Sequence, residues 1–279
     1  MKNPFVILAF ILLAVMSHVS AQTTVFYDDF AGTGAQSIQG RSPIVGGDWV
    51  TFSNSTNAPI SYGTFDGEGK VFVNSSDPGA PAANLRAYAP LSSPVNLGTD
   101  VVTVSGTVRV ATLTTPEQGA FIFVGFTDST ILSTYTSYAP SLQFFANAAN
   151  QMSVRINTLG TNNLVTYTSP SIMGNEVVSY EFIWDTVNKQ ISLSLNGTIV
   201  ISDYAMGEDP EGGYNVDSIG ITQRLIDYDT STLDGSYHGP LTVTVNSVPE
   251  PATFGIIGGV LLIGFVCFAR RQGKAPRQS

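Results

Sequence analysis

The sequence predicts an all-β protein, an antiparallel β-sandwich or jelly roll, and three observations carry that prediction. Apolar and polar residues alternate with period two through much of the stretch from 22 to 247, and no segment of it sustains a helical period. Clusters of Gly, Pro, Asn, Asp and Ser separate the alternating runs at short intervals. Asn196-Gly197 lies between two such runs, the signature of a two-residue hairpin.

Taken in order, the runs begin with Val25 to Phe30, Trp49 to Phe52, Lys70 to Val73 and Leu85 to Tyr88. Val102, Val104, Val108 and Val110 then share one face with Gly106, against Thr103, Ser105, Thr107 and Arg109 on the other, which describes a half-buried strand. Phe121 to Phe126 is apolar on both faces and reads as a central strand covered on both sides. Leu142 to Phe145, then Met152, Val154 and Ile156, then Leu164 to Tyr167 follow. Val178, Tyr180, Phe182 and Trp184 alternate with Ser179, Glu181, Ile183 and Asp185, and Ile191, Leu193 and Leu195 lead through Asn196-Gly197 into Thr198 to Ile201. Ser218 to Thr222 and Leu241 to Val245 complete about a dozen strands, the density of a single sandwich domain.

Composition narrows the class further. All twenty-one acidic residues lie between residues 22 and 251 with seven of the twelve basic ones, so that stretch carries a net charge of −14. Such a charge favours solubility and repels polyanions, which makes nucleic acid and strongly anionic polysaccharide poor partners. The one cysteine, Cys267, lies in a carboxy-terminal apolar run, so the body has no disulfide and no cysteine metal site. Asn54, Asn74 and Asn196 head glycosylation-type sequons and read as turn residues.

Enzyme chemistry finds few groups. Glu181 and Asp185 share a strand face about 13 Å apart at ~3.3 Å per residue, beyond the ~5 to 9.5 Å of glycosidase carboxylate pairs, and read as a solvated outer face. His238 is the one histidine of the body and stands beside Tyr237 in an expected loop, with no Gly-x-Ser-x-Gly elbow in the chain. No catalytic residue is assigned.

Two ligand chemistries stay open. Asp227, Asp229 and Asp234 alternate with hydroxyl residues, a donor set suited to Ca²⁺ that also serves as an ordinary acidic turn, and the glycine and glutamate of an EF-hand loop are missing. No other cofactor is indicated. Aromatic rings stack on the apolar faces of sugars, so the region from Leu225 to Gly239, with Tyr228, Tyr237 and His238, is the candidate glycan-binding loop. Tyr62, Phe65, Tyr135 and Tyr138 are further loop aromatics.

The two ends of the chain are addresses. Lys2 precedes an apolar stretch from Phe5 to Val15, and Val19-Ser20-Ala21 offers small residues at a signal-peptidase site, so residues 1–21 are expected to leave as a signal peptide with cleavage between Ala21 and Gln22. At the other end Pro249-Glu250-Pro251 precedes sixteen uncharged residues, Phe254 to Ala269, roughly 24 Å of helix at ~1.5 Å per residue. Arg270 and Arg271 follow as a basic cap that stays in the cytoplasm. Residues 248–279 in this order resemble the carboxy-terminal sorting signal of the PEP-CTERM family, exported proteins of Gram-negative bacteria. That resemblance implies a transmembrane helix held in the inner membrane, recognition of Pro249, Glu250 and Pro251 by an exosortase, and delivery to the cell surface or extracellular matrix. A permanent single-pass anchor is the alternative.

Residues 22–247 form the expected domain between those ends. Phe26-Tyr27-Asp28-Asp29-Phe30 at its start, Gly46-Gly47-Asp48-Trp49, Asn196-Gly197-Thr198, and Ile219-Gly220-Ile221 before the last strand give a layout similar to concanavalin A-like and laminin-G-like jelly rolls. The resemblance implies that the first and last strands pair. The expected function is that of a non-enzymatic surface protein associated with extracellular polysaccharide, with a carbohydrate-binding module as the alternative and a glycoside hydrolase or polysaccharide lyase behind it.

Overall fold

The computed structural model describes residues 22–52, 60–73, 84–110, 121–127, 140–157, 164–206, 215–224 and 236–247. Ser247 apart, these belong to one compact unit, Gln22–Asn246. None of them is helical, and the expectations for both chain ends fall outside them.

Sixteen strands lie among the described residues: β1 Gln22–Asp28, β2 Gln36–Ser37, β3 Val50–Phe52, β4 Ile60–Phe65, β5 Glu68–Val73, β6 Asn84–Val95, β7 Asp100–Arg109, β8 Phe121–Thr127, β9 Ser141–Ala146, β10 Gln151–Asn157, β11 Leu164–Met173, β12 Val177–Asp185, β13 Gln190–Leu195, β14 Thr198–Ala205, β15 Val216–Arg224 and β16 Tyr237–Ser247. They form two antiparallel sheets. The nine-stranded sheet runs β14, β13, β12, β7, β16, β5, β4, β2, with β1 also on β16, and the seven-stranded sheet runs β11, β10, β9, β8, β15, β6, β3. The expected pairing of first and last strands is present, from Gln22 opposite Asn246 to Asp28 opposite Leu241.

Two hairpins turn on residues that tolerate left-handed backbone. Asn196 and Gly197 have φ of 48° and 73°, and Asp66 and Gly67 have 55° and 81°, both pairs matching the turn whose twist suits adjoining strands. The second hairpin joins β4 to β5. Tyr62 and Phe65 therefore stand on a strand, not in the loop expected from sequence.

The core lies between the sheets. Burial along β12 alternates strictly from Val178 to Trp184, with Glu181 exposed and Asp185 half-buried on the other side, as the period-two reading requires. Trp184 meets Phe126 of the facing sheet at 5.6 Å between ring centroids, and Tyr180 meets Phe144 at 4.9 Å. The alternation slips once in β16, where His238 and Leu241 both have 0 % exposure and both face the core although three residues apart. At the start of the domain Asp28, also fully buried, accepts from Trp49 Nε1 at 2.7 Å and from Arg41 Nε and Nη2 at 2.9 and 2.6 Å. The Arg41 guanidinium carbon lies 4.0 Å from the Tyr62 ring centroid.

Candidate functional site

Sheet parity separates the outer face of the seven-stranded sheet from the core. Ile219 and Ile221 of β15 are fully buried in the core, and Gln223 continues their side to donate from Nε2 to the Val71 carbonyl of the opposite sheet at 3.2 Å. Ser218, Gly220 and Thr222 consequently point outward.

The registers carry that assignment across the sheet as three rows. One runs Asn157, Ser141, Gly125, Gly220, Tyr88 and Val50. The next runs Thr166, Arg155, Gln143, Phe123, Thr222 and Arg86. The third runs Thr168, Ser153, Phe145 and Phe121, with Arg224 and Asn84 at the following positions.

The centre of this face is screened and its flank is open. Ser141 is 1 % exposed, Thr222 5 % and Phe123 8 %, whereas Gln143 and Phe145 are half-buried and Arg155 is exposed. Gly125 and Gly220 sit side by side without side chains. A Cβ on Gly125 would stand 2.7 Å from Ser141 Cβ and 2.9 Å from Phe123 Cε1, so the serine and the ring close over the bare backbone. Glycine within a strand is the residue that lets another group come close to the sheet.

Two hydroxyls beside this patch are unsatisfied. Ser141 Oγ and Thr222 Oγ1 are buried and have no hydrogen-bond partner among the described residues, whereas Ser153 Oγ and Thr168 Oγ1 on the same face bond each other at 2.9 Å. A buried hydroxyl without a partner carries a cost of ~1 to 3 kcal/mol, which a water or a ligand hydroxyl would relieve. On the open flank the Arg155 guanidinium carbon lies 5.5 Å from the Phe145 ring centroid, directly across from Gln143. Aromatic rings, hydroxyls, an amide and a guanidinium on one rigid sheet can stack on and hydrogen-bond a polyhydroxylated molecule.

None of the row positions is Asp or Glu. Asp217 lies at the start of β15, beyond the rows, and accepts from Asn215 Nδ2 and Ser218 Oγ. Glu181 and Asp185 belong to the outer side of the other sheet, where Asp185 caps its turn by accepting from Val187 N at 2.9 Å and Asn188 N at 2.8 Å.

The residues singled out from sequence fare differently. Ala21, Asp227, Tyr228, Asp229, Asp234, Pro249, Glu250, Pro251, Arg270 and Arg271 lie outside the described residues. Among the described residues no group of three or more metal-ligating side chains is gathered. Gln22 opens β1 and donates from Nε2 to Thr244 Oγ1 at 2.7 Å. Tyr237 and His238 are strand residues of β16, not loop residues, and are 7 % and 0 % exposed. Lys70 Nζ sits 4.5 Å from the Tyr237 ring centroid, so that ring already carries a cation. His238 Nδ1 donates to the Gly239 carbonyl at 2.6 Å, and Nε2 accepts from Tyr180 OH at 2.8 Å.

Sequence reasoning missed Ser141, Gln143, Phe145, Phe123, Thr222 and Arg155. The signal was present: once Ile122 and Val124 are assigned inward, Phe121 and Phe123 must face out, and the same phase holds for Leu142 and Gln143.

No family model matches the chain and no curated protein matches it. Among solved structures it is similar to an endo-1,3-beta-glucanase from Streptomyces sioyaensis at 13 % identity, over 82 % of this chain and 98 % of that one, with a TM-score of 0.56. Lectin II from Ulex europaeus aligns at 15 % identity over 71 % of this chain and 98 % of its own, with a TM-score of 0.45. Arcelin-5, a lectin-like defense protein from Phaseolus vulgaris, aligns at 11 % over 81 % and 99 %, with a TM-score of 0.46. The sandwich is thus a concanavalin A-like jelly roll, as the sequence layout implied, and at these identities the likeness concerns fold alone.

Proposed function

We propose that this chain is an exported, non-enzymatic β-sandwich protein of the cell surface or extracellular matrix that binds polysaccharide on the outer face of its seven-stranded sheet. The observation that carries the reading is the pair of buried, unpartnered hydroxyls, Ser141 Oγ and Thr222 Oγ1, beside the Phe123 ring. A sugar hydroxyl both donates and accepts, so it can complete either group while a sugar ring stacks on the aromatic surface. The glucanase with the shared fold acts, by its name, on a polysaccharide. Rows without a carboxylate support binding here rather than hydrolysis, which uses a pair of acids.

Delivery belongs to the same proposal. Signal peptidase removes residues 1–21, the apolar segment holds an inner-membrane intermediate, and an exosortase reads Pro249, Glu250 and Pro251 in a Gram-negative-type bacterium. A Ca²⁺ site at Asp227, Asp229 and Asp234, with Tyr228 beside it, is a separate element.

Thr222→Val and Ser141→Ala test the binding face because they separate stability from affinity. Replacing an unsatisfied buried hydroxyl by an apolar group is neutral to stabilising, whereas losing one hydrogen bond to a ligand costs ~1 kcal/mol or more, several-fold to tenfold in affinity. The melting temperature should hold or rise while glycan-array binding falls. Unchanged binding in both variants, or an array with no bound glycan, sinks the reading.

A further inference from the structure

Building on that reading of the face, we propose that its polysaccharide carries carboxylate groups and that Arg155 selects for them. Arg155 projects from β10 on the open flank, its guanidinium carbon 5.5 Å from the Phe145 ring centroid. That ring contact holds the side chain over the face, and a guanidinium so placed suits bidentate binding of a carboxylate. Gln143, directly opposite on β9, adds an amide to the same subsite.

Among the described residues no carboxylate pairs with Arg155, whereas Arg41 is neutralised by Asp28 and Asp29, and Lys70 by Asp66. No acidic residue occupies the three outer rows, although acids outnumber bases three to one between residues 22 and 251. At the far end of its row stands Arg86, itself partnered, four strand spacings or roughly 19 Å away at ~4.8 Å per strand. A glycan chain lying across the strands thus passes Arg155 and, four strand spacings on, Arg86.

Net charge does not oppose this. A charge of −14 slows the approach of a polyanion, but screening at physiological salt limits that field to ~8 Å, and contact is decided by the groups on the face. The exclusion of anionic polysaccharide drawn from composition therefore concerns encounter, not recognition.

The test uses the full-length chain in detergent at fixed physiological ionic strength, with polygalacturonate, its fully methyl-esterified form, neutral dextran and dextran sulfate as probes. Polygalacturonate should bind at least tenfold more tightly than its ester, which keeps the backbone and removes the charge. Arg155→Gln should erase that difference, and Arg109→Gln, which changes net charge equally from the other sheet, should leave it intact. Equal binding of acid and ester, with Thr222→Val still weakening both, overturns carboxylate selection and leaves glycan binding standing. Dextran sulfate bound as tightly as polygalacturonate with the same dependence on Arg155 also overturns it, in favour of any anion. Binding of none of the four probes overturns carboxylate selection, and the glycan array then decides the broader reading.

Discussion

Tyr180 and His238 lie on strands that are not neighbours, with β7 between them, and their side chains meet at 2.8 Å in the core. Gly106 of β7, directly opposite Tyr180, makes room: a Cβ there would stand 2.7 Å from His238 Cε1. Because Nδ1 donates to the Gly239 carbonyl, Nε2 is left to accept the phenol proton, and the imidazole is held neutral. Burial pushes the His238 pKa down to about 4 against the partial support of the Gly239 carbonyl, and the same burial raises that of Tyr180.

That histidine makes stability depend on pH with a definite sign. Below its ordinary pKa of 6.5 the unfolded chain binds a proton that the folded chain refuses, so stability present at neutral pH is lost as pH falls from about 6.5 to about 4. The loss is on the order of 3 kcal/mol at ~1.4 kcal/mol per pKa unit. Urea midpoints measured across this range should fall for the native sequence and fall distinctly less for His238→Gln. Equal slopes for the two proteins would show that His238 does not titrate with folding.

Asp28 and Asp29 should respond in opposite degree to the same change. Asp28 has no exposed side-chain surface and holds Arg41, Trp49 Nε1 and the Phe30 amide, while Asp29 is 35 % exposed and, among the described residues, reaches Arg41 and the Ala31 amide. Breaking a buried pair from one side strands the other charge, so Asp28→Asn is expected to cost ~3 to 5 kcal/mol. Asp29→Asn should cost less than ~1 kcal/mol. Chemical denaturation of both variants checks the ratio, and similar losses would contradict the assigned roles.

Processing has a mass signature. If an exosortase reads Pro249, Glu250 and Pro251 and removes the apolar segment, as proposed, surface-extracted protein should lack Cys267 and everything that follows it. Mature chains that still end at Ser279 would point instead to a permanent anchor.

Much of the fold was legible because one face of each strand is buried and the other is not. Val178 to Trp184 and Val102 to Val110 announce their inward sides, and the glycine of Asn196-Gly197 has the positive φ that its turn needs. β4 was not legible, since Ser61, Gly63 and Thr64 blur its alternation even though Asp66-Gly67 marks the hairpin after it. The proposed binding face was hidden for a different reason. Phe123 is apolar and nearly buried while pointing away from the core, so hydrophobicity alone cannot separate it from Val124 beside it. His238 misled in the opposite way: a polar residue between Tyr237 and Gly239 looks like a loop, and only the slip in β16 turns it inward. The setting of Arg155 beside Phe145 and Gln143 comes from a neighbouring strand, which a linear reading does not contain.

The place of β16 bears on how the domain would resist force. It is an interior strand, hydrogen-bonded to β7 along one edge and to β5 and β1 along the other. Tension arriving through residues beyond Ser247 would run along β16, nearly perpendicular to its hydrogen bonds, and load them together in shear instead of peeling them one at a time. A tether pulled in that direction must break many of those bonds at once before this strand is drawn out of the sheet.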